Sequence, residues 1–208
     1  MQKLAKLLRA STLDDLYLAL VSHWERPGDI VVDGEEPTPR VAASFPEIAA
    51  LDPISQMMLL DVIGYMNDDI LTKVDRAAMA VSLETRVPFL DHRVAEFAWS
   101  LPFDYKLRDG QTKWILRQLL YRHVPKELIE RPKAGFAVPI GQWLRAPLRP
   151  WAEDLLSAAN LERGGFLRAA PIRARWQEHL SGKRDWSAQL WNVLMFQSWL
   201  DKSHGQRS

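Results

Sequence analysis

Apolar residues recur at helical spacing along nearly the whole chain. Leu13, Leu16, Tyr17, Leu20 and Val21 share one face, and Thr12 stands at a capping position, which predicts a helix running to Trp24. The start of the chain, MQKLAKLLRAS, reads as a further amphipathic helix; its lysines and arginine interrupt the apolar stretch, and no A-x-A cleavage site follows. Residues 25–46 are rich in proline, glycine and acidic side chains and read as a mobile loop or linker. Asp52-Pro53 pairs a cap with proline at the first helical position, predicting a helix through about Met66. A second helix is expected from about Asp69 to Ser82. Asp91 then caps a short helix that stops before Pro102, and Gly110 to Thr112 opens a helix over KWILRQLLYRHV that ends at Pro125. Residues 131–150 hold four prolines and two glycines and are expected to form an ordered loop or broken helices. Two more helices are predicted, at about 171–181 and 186–202. The last of them is apolar on nearly every face and should be buried. Strand patterns are almost absent, and IVV at 30–32 is too short to carry a sheet. The expected fold is mainly α, divided at a linker into residues 1–51 and 52–208.

Composition sharpens this picture. Nine tryptophans in 208 residues imply large apolar contacts, with indole N–H groups that need acceptors. The chain has no cysteine, which excludes disulfides, thiolate metal sites and a cysteine nucleophile, and fits a reducing compartment. No apolar run approaches the roughly 18 residues that a membrane span needs. The net charge of +1 conceals an asymmetry: residues 1–104 carry 9 basic and 17 acidic side chains, whereas residues 105–184 carry 16 and 7. A basic half can face phosphates or nucleic acid, or the acidic half of the same protein. Its arginines are scattered at helical spacings with no groove-reading motif and no compact basic run, which argues against nucleic acid.

Two segments concentrate candidate chemistry. In residues 68–93, Asp68, Thr72, Asp75, Met79 and Ser82 fall on one helical face, while Ile70, Val74, Ala78 and Val81 fall on another that should be buried. Asp69 and Lys73 form an i,i+4 pair, and Glu84 and Arg86 stand just before an extended VPFLD stretch. These charges either are solvated, on an ordinary amphipathic helix with a salt-bridged turn, or surround a ligand. In residues 131–144, Pro132 and Pro139 brace a loop that holds Lys133, and Gly135 allows an unusual dihedral. Lys133 is either a solvated loop lysine or a point charge for phosphate.

Taken together, the motifs D-D-I-L-x-K-V-D-R-A-x-M-A-x-S-L-E-x-R-V-P-F-L-D-H-R (Asp68 to Arg93), G-x-x-K-W-x-L-R (Gly110 to Arg117) and R-P-K-x-G-F-x-V-P-I-x-x-W-L (Arg131 to Leu144) resemble the end of the synthetase domain of glutamine-hydrolysing asparagine synthetases. The resemblance covers about residues 52–200. It implies the helical C-terminal portion of an α/β adenine-nucleotide α-hydrolase-like synthetase domain.

Such enzymes adenylate the side-chain carboxyl of aspartate with ATP and Mg2+, and ammonia released from glutamine in another domain then attacks the β-aspartyl-AMP. By resemblance, Lys133 stabilises charge on the phosphates, with Glu84 and Asp75 in catalytic positions. Asp69, Lys73 and Arg86 lie at substrate-binding positions around the aspartate and the intermediate. No metal ligand is assigned. The implied partners are aspartate, ATP and ammonia or glutamine, without nucleic acid or membrane, in a cytoplasmic protein that could form a homo-oligomer.

The sequence also departs from the family pattern. The S-G-G-x-D-S pyrophosphate loop and the acidic S-G-E-G-x-D-E segment are missing, and Gly164-Gly165 is followed by Phe166. Met66-Asn67 stands where leucine-proline is usual, and Ala134 and Ala137 replace the usual methionine and glycine. The expectation is therefore a fragment without turnover of its own. The alternatives are a non-catalytic helical interaction module derived from the synthetase and a relative that amidates another carboxylate.

Overall fold

The computed structural model describes residues 8, 10–35, 46–131 and 138–205. The fold is mainly helical. Its helices are α1 (Leu13–Val21), α2 (Pro53–Leu60), a π-type run (Asp61–Leu71), α3 (Thr72–Met79), α4 (His92–Ser100), α5 (Phe103–Lys106), α6 (Trp114–Leu120), α7 (Lys126–Ile129), α8 (Ile140–Arg145), α9 (Arg149–Leu155), α10 (Ala158–Arg163), α11 (Ala169–Leu180) and α12 (Ser187–Gly205). The chain divides into two compact units, one of Met1–Asp69 with Val138–Ser208 and one of Ile70–Ala137.

The first unit contains the hydrophobic core. Leu144 of α8, Ala152 and Leu155 of α9, Leu161 of α10, Ile172 and Trp176 of α11, and Leu190, Val193 and Leu194 of α12 are all buried together. On α12 the buried positions Leu190, Val193, Leu194 and Gln197 follow one helical stripe, while Met195 and Trp199 are exposed, Trp199 by 61%. The expectation of burial on nearly every face therefore fails: α12 packs on one side only. Its apolar composition exceeds what its neighbours cover. Two indole N–H groups meet carboxylate acceptors: Trp176 Nε1 donates to Glu153 Oε2 (2.5 Å) and Trp186 Nε1 to Glu178 Oε2 (2.8 Å).

Residues 30–32 depart from the loop expected there. Val31 bridges Leu167 in an antiparallel pair, Val32 N–H donates to the Phe166 carbonyl (2.9 Å), and Arg168 N–H donates to the Ile30 carbonyl (2.8 Å). Ile30 itself is buried in the core. Residues 27–32 are thus fixed by the core, because a short apolar triplet needs only one nonlocal partner to be satisfied.

Capping chemistry accounts for several helix starts. Thr12 and Asp15 form a reciprocal capping box on α1, which ends at Val21 and not at Trp24. Asp52 accepts from the N–H groups of Ile54 and Ser55 (both 3.1 Å) at the start of α2. Tyr17 Oη donates to Asp61 Oδ1 (3.1 Å); burial and the adjacent carboxylate push this phenol up to about 12, so it stays a donor. The break expected between Met66 and Asp69 does not occur. Helical backbone runs from Pro53 to Met79 through the π-type turns. Asn67 keeps the backbone N–H that proline would lack, so nothing forces the helix to stop there.

His179 is completely buried between α8, α11 and α12. The Trp186 backbone N–H donates to its Nδ1 (3.2 Å), which leaves Nε2–H to donate to the Gly141 carbonyl (3.2 Å). Its ring stacks on Trp176, with centroids 6.1 Å apart. Burial, and then the Arg145 guanidinium, hold its pKa below the usual histidine value, with Asp185 only partly opposing them. Because the folded value is depressed, stability from this site is fully present above the unfolded value of about 6.5 and is lost as pH falls below it. The melting temperature is expected to fall between about pH 6.5 and 5, where Glu153, Glu178 and Asp185 are still ionised. Thermal melts across that range on the wild type and on His179→Asn check this; an equal slope in both would overturn it.

Candidate functional site

The sequence-predicted residues fall on different elements. Asp69 lies in the π-type run, and Lys73 and Asp75 lie on α3. At the end of α3, Ser82 adopts a left-handed φ of 58°, and Leu83 N–H donates to the Ala78 carbonyl (3.0 Å). This closes the helix in the way a glycine usually does. The chain leaves without regular secondary structure through residues 83–87, and Val87 is extended. There Glu84 Oε1 meets Arg86 Nη2 at 2.8 Å. Glu84 and Arg86 are thus brought together, and the pair is solvent-facing, with side chains 68% and 83% exposed. At this exposure the pair contributes well under about 1 kcal/mol. Lys133 lies outside the described residues.

The apolar face predicted for burial on this segment is only partly covered, with Ile70 and Ala78 half-buried. Val74 and Val81 are exposed, Val81 by 75%, and no described residue between Asp61 and Arg131 is buried. Phe89, Phe97, Trp99, Leu116, Leu119 and Leu128 of the Ile70–Ala137 unit are exposed as well. The reason is physical: short helices joined by turns make local contacts but enclose no common interior.

Sequence reasoning missed two local structures here. Leu107–Arg108 and Gln111–Thr112 form an antiparallel hairpin around Asp109-Gly110, both at positive φ. Asp-Gly is a strong signal for such a turn. The second structure is a polar network just before residue 131. Glu130 Oε1 accepts from Arg117 Nη1 (2.5 Å), Tyr121 Oη and Gln111 Nε2 (3.4 Å), while Arg117 Nε donates to the Thr112 carbonyl (2.9 Å). The donors, Tyr121 first and then Arg117, outweigh desolvation and hold the Glu130 carboxyl below its ordinary range. Arg117 and Tyr121 sit four apart along one helical face, which was the available signal. Asp91 is similarly fixed: it caps α4 through Arg93 N–H (2.9 Å) and takes the Arg93 fork at 2.9 and 2.6 Å.

Among the described residues, no group of three or more histidine, aspartate or glutamate side chains is placed to hold a metal ion. Magnesium bound with nucleotide needs only one or two carboxylates, the phosphates supplying the rest. No helix among the described residues is long and apolar enough to cross a membrane.

A helical domain carrying these motifs in this order defines a synthetase-type class, and comparison with known proteins makes it specific. The asparagine synthase family model matches residues 1–201, and the chain belongs to that family. A relative from Mycobacterium tuberculosis strain H37Rv is 39% identical over 159 residues, covering 76% of this chain and 24% of its own. Asparagine synthetase [glutamine-hydrolyzing] 1 of Bacillus subtilis is 34% identical over 155 residues, covering 74% of this chain and 24% of its own. The asparagine synthetase [glutamine-hydrolyzing] of Gallus gallus is 29% identical over 167 residues, covering 72% and 28%. The chain thus spans about a quarter of the length of the curated relatives it matches. No solved structure matches it.

Proposed function

We propose that this chain is the C-terminal helical part of a glutamine-hydrolysing asparagine synthetase, a cytoplasmic ATP-dependent amidoligase acting on aspartate. The observation that carries this reading is the family match over residues 1–201, with the motif segments of residues 68–93 and 131–144 inside it. In the proposed reaction an oxygen of the aspartate β-carboxylate attacks the α-phosphorus of ATP. Pyrophosphate leaves with the electron pair of the broken P–O bond. Ammonia then adds to the activated carbonyl, AMP departs, and the nitrogen loses a proton to give the amide.

Each residue's proposed role follows from its charge. Lys133 offsets negative charge that grows on the phosphates, a task for a fixed cation with no need of bidentate geometry. Arg86 and Lys73 orient carboxylate, and Asp69, Asp75 and Glu84 hold the substrate amino group. Glu84 and Arg86 already lie at 2.8 Å, so substrate binding has to compete with or extend an existing ion pair. The missing glycine-rich loop removes the backbone N–H cradle for pyrophosphate. The chain alone is therefore proposed to be inactive.

The test replaces the matched quarter of the Bacillus subtilis relative with this chain. The expected result is aspartate-dependent release of pyrophosphate from Mg-ATP with ammonium present. Lys133→Ala should lower kcat by roughly 10²–10³-fold, the usual effect of losing one charge-stabilising donor. The 208-residue chain alone should release none. A folded chimera that prefers another carboxylate, or one indifferent to Lys133→Ala, would overturn the acceptor or the lysine assignment respectively.

A further inference from the structure

A second cleft lies within the first unit, far along the sequence from the motif segments. It is formed by the segment His23–Asp29 together with α11 and the turn that follows it, and has a volume of about 230 Å³. Two tryptophans and two arginines dominate it. The Arg175 guanidinium carbon lies 4.9 Å from the Trp24 ring centre and 5.2 Å from that of Trp186, and the Arg184 guanidinium carbon lies 3.7 Å from the Trp186 ring centre. Two cations therefore share one indole.

Their hydrogen bonding is incomplete. Arg175 Nη1 donates to the Pro171 carbonyl (3.0 Å), one turn back on its own helix. Arg175 Nε is buried and has no acceptor. Among the described residues, no carboxylate forms an ion pair with Arg175 or Arg184. Nearby Glu178 lies within electrostatic reach of Arg184, but its oxygens accept from Lys183 Nζ (3.2 Å) and Trp186 Nε1 (2.8 Å), and Asp29 is taken by Arg26 Nε (3.0 Å). Glu25, which also lines the cleft, is the remaining acidic side chain there.

Indole faces attract a guanidinium but accept no in-plane hydrogen bond from it. A buried arginine N–H that lacks an acceptor, as Arg175 Nε does, is costly, and two like charges beside one ring add repulsion. An anion relieves both. We propose that this cleft binds a small multivalent anion bearing phosphate or carboxylate oxygens, held by Arg175 and Arg184 against Trp186. The cleft is smaller than the roughly 300–1,000 Å³ of pockets for drug-sized ligands, so it suits a group of pyrophosphate or dicarboxylate size and not a whole nucleotide. The proposal does not depend on the synthetase reading.

The experiment is a calorimetric titration of the 208-residue chain with inorganic pyrophosphate and, separately, with succinate, at constant ionic strength. Tryptophan fluorescence is followed in parallel. One of the anions should bind saturably at one site per chain and change the emission. Arg184→Gln should weaken that binding by about tenfold or more, as expected for loss of a charge-assisted contact. Preference for pyrophosphate identifies a phosphate-bearing ligand, and preference for succinate a carboxylate. Lys133→Ala should leave the binding unchanged. If neither anion binds saturably, or if Arg184→Gln binds as the wild type does, the proposal is overturned. Loss of pyrophosphate binding in Lys133→Ala would likewise move the anion to residues 131–144 and overturn it.

Discussion

Trp176→Ala is expected to destabilise the first unit by about 3–5 kcal/mol, the range for removing a large aromatic from a packed core. Trp176 is fully buried on α11 among Leu144, Ile172, Leu190 and Leu194. Its indole donates to Glu153, which also takes Arg173 Nη1 at 2.6 Å, and its ring lies against His179. Truncation therefore opens a cavity, frees an acceptor and loosens the buried histidine together. The measurement is a thermal melt followed by near-ultraviolet circular dichroism, with a fall of at least about 10 °C expected. Trp176→Phe should cost less, because it keeps most of the volume and loses the N–H. A fall of only a degree or two in the alanine variant would mean that the helices close over the gap.

The second large effect is a difference in local stability between the two units. In the first, amides of α11 and α12 are hydrogen-bonded beneath a core. In the Ile70–Ala137 unit, no described residue is buried, and its helices are short. Isolated helices of 7 to 9 residues, such as α3, α4 and α6, are marginal in water. Amide exchange at residues 72–79, 92–100 and 114–120 is therefore expected to be at least about a thousandfold faster than at Leu190–Leu194. Hydrogen–deuterium exchange read by mass spectrometry checks this on the chain as it stands. Equal protection in the two regions would show that something covers the apolar faces of Val81, Phe89 and Phe97.

What could be read from the sequence follows a simple division. Features fixed by neighbours in the chain were legible: the caps at Thr12, Asp52 and Asp91, and the helical periodicity. The Asp109-Gly110 hairpin was equally local, and its strands of two residues each are too short to show alternation. Features that depend on distant partners were hidden. The pairing of residues 30–32 with 166–168 joins segments more than a hundred positions apart, and nothing in IVV names its partner. The burial of one stripe of α12 depends on how much neighbouring surface is available. The same limit applies to the candidate site: residue types and order pointed to the family, while the three donors gathered on Glu130 come from a helix and a hairpin that only folding brings to one carboxylate.

The first unit is built from two stretches of chain, with the second unit inserted between them. Ile30 and the core residues it meets, Leu144 through Leu194, lie on opposite sides of that insertion. During synthesis at about 5–20 residues per second, Ile30 emerges roughly 8 to 30 seconds before the last of its core neighbours. For that interval α1 and residues 27–32 have no interior to enter. Nascent chains stalled after residue 137 should therefore engage holdase chaperones more strongly than chains extended past residue 200, in which the core of the first unit is complete.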